Sequence, residues 1–126
     1  MTYEKLTRYA QLFQHPDKVG GWRAAKSGEY LACLVYSEQT EDFLQDFANS
    51  NLMNKHYSEN LEAAGLSMAN LESVNVSTLS ADMILNMLTA IVRQERFSEG
   101  LIYTHSLAIA TWLERLKELD RKTAKP

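Results

Sequence analysis

The sequence predicts a mainly α fold: a single compact domain of four to five helices, with at most a small two-stranded β-ribbon. Three observations lead there. Leucine and alanine together number 30 against 9 for isoleucine plus valine, a balance that favours helix over sheet. No proline interrupts the chain between Pro16 and Pro126. Two long stretches, 80–97 and 101–120, repeat apolar residues at helical spacing.

The elements follow in order. Leu6, Tyr9, Ala10 and Phe13 recur at helical spacing after Thr2, and His15-Pro16 closes a first helix over about 3–14, because a residue preceding proline avoids the helical region. The glycine-bearing stretch 17–28 reads as a surface loop that pins Trp22 into the core. The apolar run Tyr30 to Tyr36 is short enough to be a buried strand or a packed helical turn; its reading here is a strand. Ser37 then caps a second helix reaching Asn49, with Glu38, Glu41 and Asp42 complementing its positive end and Phe43, Leu44 and Phe47 facing the core.

A short helix from Ser58 to Ala64 ends at Gly65, which supplies a left-handed residue. The alternation of Leu71, Val74 and Val76 suits a short strand over 71–77, a candidate partner for 30–36. Ser80 caps the central core helix, whose apolar face carries Ala81, Ile84, Leu85, Leu88, Ile91 and Val92 to about Phe97. After Gly100 a last helix buries Ile102, Ile109, Trp112, Leu113, Leu116 and Leu119. The domain is therefore drawn over 1–120, with 121–126 as a solvated tail.

Composition removes whole classes of function. At 126 residues one core suffices without disulfide or metal staples. The one cysteine, Cys33, has no internal partner, and the N-terminus lacks the layout of a signal peptide, so a cytoplasmic, reducing location is expected. The longest apolar run, 30–36, is far short of the ~20 residues of a membrane span. The net charge of −3 is unevenly distributed: residues 1–28 carry five bases against two acids, 37–62 six acids against one base, and 114–126 five bases against three acids. With a pI of about 5.6, general binding to a nucleic-acid backbone is disfavoured.

The block Leu88-Thr-Ala-Ile-Val-Arg93-Gln-Glu-Arg96-Phe97-Ser-Glu99-Gly100, followed by an apolar helix through Leu113-Glu-Arg-Leu116, closely resembles the C-terminal signature of DUF6508, a bacterial family of unknown function. The early Gly-x-Trp region and Tyr36-Ser37 with its amphipathic helix are similar to that family as well, so the resemblance covers most of the chain. Family members often carry cysteine where this chain has Ser98, and an Asp-Trp segment where it has Asn54-Lys55-His56-Tyr57. The resemblance implies a compact, mainly helical domain and no particular activity.

The chemistry candidates concentrate where the resemblance is strongest. Arg93 and Arg96 lie three apart on one helical face, and Arg96 can pair with Glu99. Two guanidiniums can clamp a phosphate or carboxylate; alternatively the same charges form ion pairs that fix the turn at Gly100. His105 and Trp22 join these as candidate ligand or partner contacts. Tyr57, Tyr103 and Trp112 either line a groove or belong to the core.

His15, His56 and His105 are too far apart in sequence for a local metal pair, and His56-x-x-Glu59 lacks further ligands. Cys33 reads as a buried small hydrophobe, with a pairing to His105 left open. Glu38, Glu41, Asp42 and Asp46 read as a solvated helix face. No glycine-rich phosphate loop, nucleophile elbow or zinc-protease motif is present, so no cofactor or metal is expected. The sequence thus points to a non-catalytic interaction or regulatory module using the 93–100 corner, with an unknown protein or a second copy as partner. A small enzyme or anion-binding protein with a pocket around Arg93 and Arg96 is the alternative.

Overall fold

The computed structural model describes residues 3–24, 32–67, 70–95 and 100–124. Among these the fold is mainly α with a two-stranded antiparallel sheet. The N-terminal helix predicted over 3–14 forms as two single turns, α1 (Glu4–Thr7) and α2 (Ala10–Phe13), separated at Arg8 and Tyr9. Both bury one side, Leu6 with Ala10 and Phe13. His15-Pro16 ends that segment as expected, and Pro16 then starts α3 (Pro16–Val19), a position where its missing N–H costs nothing.

One loop reading and one strand reading are corrected. Over 17–24, the described part of the stretch read as a loop, α3 leads directly into β1 (Gly20–Ala24), which pairs with β2 (Ala32–Tyr36) in the register Gly20↔Tyr36, Trp22↔Leu34, Ala24↔Ala32. Gly20 makes this pairing possible, because a Cβ there would sit 2.7 Å from the Val35 carbonyl oxygen and 3.1 Å from the Tyr36 ring. The strand expected over 71–77 is instead a pair of 3₁₀ turns, Leu71–Ser73 and Val76–Thr78. Asn75 explains the second: its Oδ1 accepts from the Ser77 backbone N–H, a local bond that competes with ladder pairing. The 30–36 run therefore pairs backwards in the chain, not forwards.

The next two helices follow the sequence closely. Helix α4 (Glu38–Asn49) is capped by Ser37, whose Oγ accepts from Thr40 N–H. The buried Thr40 hydroxyl donates to Val19 O at 2.8 Å, and Ser37 N–H donates to the same carbonyl, so the α4 entry is bolted to α3. Phe43 meets Phe13 edge to face at 4.9 Å between ring centres, a geometry aromatic pairs favour. Helix α5 (Tyr57–Ala63) closes at Gly65, where φ is +75°.

Helix α6 (Ala81–Gln94) is capped by Ser80 and buries every residue from Ile84 to Ile91. A helix apolar on one stripe only could not be enclosed this way; of the two polar residues inside it, one bonds within the helix and the other meets α5. Thr89 donates back to Leu85 O, and Asn86 Oδ1 faces Asn60 Nδ2 at 3.5 Å. The final predicted helix is divided at His105 into α7 (Leu101–Thr104) and α8 (Ser106–Ala124). Helix α8 packs against α1, α2, α3, α6 and α7 through a stripe of Ile109, Ala110, Trp112, Leu113 and Leu116. Near the end of that stripe the buried Asp120 accepts from Tyr3 N–H at 2.9 Å. The helix backbone continues through 121–124.

Candidate functional site

The corner between α6 and α7 is organised by a carboxylate that did not figure among the expected site residues. Glu95 sits at the C-cap of α6 and reaches forward over the turn. Its Oε2 accepts from Gly100 N–H at 2.7 Å, and its Oε1 accepts from Ile102 N–H at 2.9 Å and from the Tyr36 hydroxyl at 2.6 Å. One side chain thereby satisfies two backbone donors at the start of α7, which an uncapped helix start leaves orphaned, and links the corner to β2. Gly100 adopts φ of +95°, the left-handed region glycine enters without penalty. Burial, and then the hydrogen bond and charge of Glu95, push the Tyr36 phenol far above its ordinary value, so it serves as a fixed donor. The sequence signal was an acid five residues before a glycine that opens a helix.

Arg93 lies on the exposed side of the last turn of α6. It makes no hydrogen bond or ion pair among the described residues and gains from the negative helix end. Arg96 and Glu99 lie outside the described residues, as does the side chain of Trp22, of which only the backbone in β1 is described. His105, half-buried at the α7–α8 break, meets Glu72 on the first 3₁₀ turn, Nδ1 to Oε1 at 2.5 Å. Among the described residues the hydrogen bond and ion pair of His105 go to Glu72 and not to Arg93.

The remaining candidates divide plainly. Trp112 is core, while Tyr57 and Tyr103 are half-buried. The Cys33 side chain lies outside the described residues. His56 and Glu59 are exposed and 3.7 Å apart, a surface pair. Glu38, Glu41 and Asp42 are solvated as expected, whereas Asp46 departs from that reading: it accepts from both Arg8 and the Tyr9 hydroxyl. Those two hydrogen bonds, Tyr9 first, hold the Asp46 carboxyl below the usual carboxylate range. Among the described residues no three His, Cys, Asp or Glu side chains gather to hold a metal, and no helix is long and apolar enough to cross a membrane.

A family of unknown function, DUF6508, matches residues 2–122 of the 126. The chain belongs to this family. No curated protein and no solved structure matches it. In this DUF6508 chain the signature block therefore supplies Glu95, which accepts from the backbone donors that open α7, with Arg93 exposed on the last turn of α6.

Five clefts among the described residues are lined without Arg93. One of about 450 Å³ runs along 51–56 beside Asp82 and Leu85, and one of about 410 Å³ is walled by Arg8, Tyr9, Gln11, Leu12, His15, Lys18 and Gln39. Another, of about 250 Å³, is lined by Tyr57, Leu61, Leu66, Ala90 and Gln94 among others. A shallow groove beside Glu72 carries Leu107, which is 60% exposed.

Proposed function

We propose that this DUF6508 chain is a non-catalytic interaction or regulatory module of the bacterial cytoplasm, and that it meets its partner, another protein or a second copy of itself, through the 93–100 corner. The observation that carries this reading is the division of labour in the corner. Glu95 spends both carboxylate oxygens on holding the turn, which leaves no described carboxylate there free for acid–base chemistry. Arg93 stands exposed beside it without a partner among the described residues, and an arginine presented on a preorganised rim is the side-chain type that anchors protein interfaces. The alternative, a pocket for a small anion around Arg93 and Arg96, calls for concavity at Arg93, and the five clefts described above take none of their wall from it. The single cysteine accords with a reducing compartment.

The test compares wild type with Arg93→Ala and Arg96→Ala. Affinity capture from bacterial extract and sedimentation of the purified chain read hetero- and self-association. The expected result is an associated species lost in both variants while the thermal midpoint stays within about 2 °C, as for surface changes. An association pattern identical in wild type and variants overturns the reading, and so does unfolding of Arg93→Ala, which would make the arginine structural.

A further inference from the structure

We infer that the cleft between the N-terminal turns and α4 is a binding site for a small phosphate-bearing anion. Its wall brings together Arg8 from the α1–α2 junction, His15 and Lys18 from the start and end of α3, and the neutral amides of Gln11 and Gln39, with Leu12 as apolar surface. Among the described residues no carboxylate forms part of that wall. The volume of about 410 Å³ falls within the range of small-molecule sites. In a chain of net charge −3, a cleft whose charged wall residues are the cations Arg8 and Lys18 concentrates positive potential, because low-dielectric walls focus the field of the charges lining them.

The arginine is already oriented. Arg8 Nη2 donates to Asp46 and to the Tyr9 hydroxyl, the latter at 3.4 Å, and the guanidinium lies 5.2 Å from the centre of the Tyr9 ring. Among the described residues its hydrogen bonds run from Nη2, so Nε and Nη1 keep their donors for a ligand. Asp46 and Tyr9 act here as positioning residues: they fix the fork without filling it, which lowers the ordering cost a ligand would otherwise meet. The side chains of His15 and Lys18 make no hydrogen bond or ion pair among the described residues. A planar fork beside a lysine point charge suits phosphate oxygens. None of the wall residues belongs to the 93–100 corner, so this site stands or falls independently of the proposed interface.

Titration of the isotope-labelled full chain with inorganic pyrophosphate, read by backbone amide shifts, tests the site. Saturable shifts confined to residues 8–18 and 39 are expected. Arg8→Gln and Lys18→Gln each weaken binding about three- to tenfold, the worth of one partly exposed charge-assisted contact, and the double variant abolishes it. Lys117→Gln, on α8 away from the cleft, leaves it unchanged. If Arg8→Gln disturbs the fold through Asp46, the pair Lys18→Gln and His15→Gln carries the same comparison. Shifts that do not saturate, that spread equally over the other lysines and arginines, or that persist in the double variant overturn the inference. Citrate binding as tightly as pyrophosphate overturns the assignment to phosphate.

Discussion

Glu95 concentrates in one side chain the work that elsewhere takes a capping residue, a turn hydrogen bond and a strand anchor. Replacing it by Gln keeps the size but swaps one acceptor oxygen for an NH₂ that cannot accept from Gly100 or Ile102. Glu95→Gln is expected to cost about 2–3 kcal/mol in urea unfolding, the range for losing charge-assisted hydrogen bonds to partly buried donors. Tyr36→Phe removes a third donor and changes the pH response. The folded-state pKa of Tyr36 is raised, so its contribution is fully present below the unfolded phenol value, about 10, and is lost as pH rises from there towards the folded value, because only the unfolded chain releases the proton. Tyr3 and Tyr9 shift in the same direction, so the measurement is the difference between wild type and Tyr36→Phe: constant through neutrality and shrinking above about pH 10. A difference that stays constant into the alkaline range contradicts the link.

Elements with strong local signals were legible in the sequence, and elements decided by tertiary contact were not. Ser37 and Ser80 cap helices as their spacing promised, and Gly65 ends one, because each acts on its own backbone within a few residues. The 3₁₀ turns after Asn70 were misread since Leu71, Val74 and Val76 satisfy period two and period three almost equally over so short a window. β1 was missed for a different reason. Two adjacent glycines look like loop punctuation, yet Gly20 is there so that β2 can approach within contact of its Cα. Gly20→Ala should therefore destabilise by about 1–3 kcal/mol through overpacking against backbone, whereas Gly21→Ala, with nothing within 4 Å of its Cβ position, should change the thermal midpoint little. Equal effects would remove the packing explanation. Of the site, Arg93 and the signature block were visible, but Glu95 was one charge among four until the fold brought Tyr36, Gly100 and Ile102 to it.

Across the whole molecule, burial is graded. α6 is enclosed over eight consecutive residues, while α1, α2 and α3 are four-residue turns that bury one or two side chains each. Hydrogen exchange should follow that gradient: α6 amides open only with global unfolding, and those of the N-terminal turns open locally at lower free energy. Uniform protection across both would show that the turns are cooperative with the core. Such a gradient fits a chain whose cleft for an anion lies in a segment less enclosed than α6, where a ligand has more to stabilise.

The hydrogen bond from Tyr3 N–H to Asp120, spanning 117 residues, together with the packing of α1 and α2 on α8, also sets the order of assembly. On the ribosome the first turns emerge long before the helix they rest on, and until α8 is synthesised they have only partners earlier in the chain, α3 and α4 among them. Closing so long a loop raises the contact order above that of a simple up-and-down helical bundle. The chain should therefore fold more slowly than its helix content implies, with docking of the N-terminal turns onto α8 as a late step.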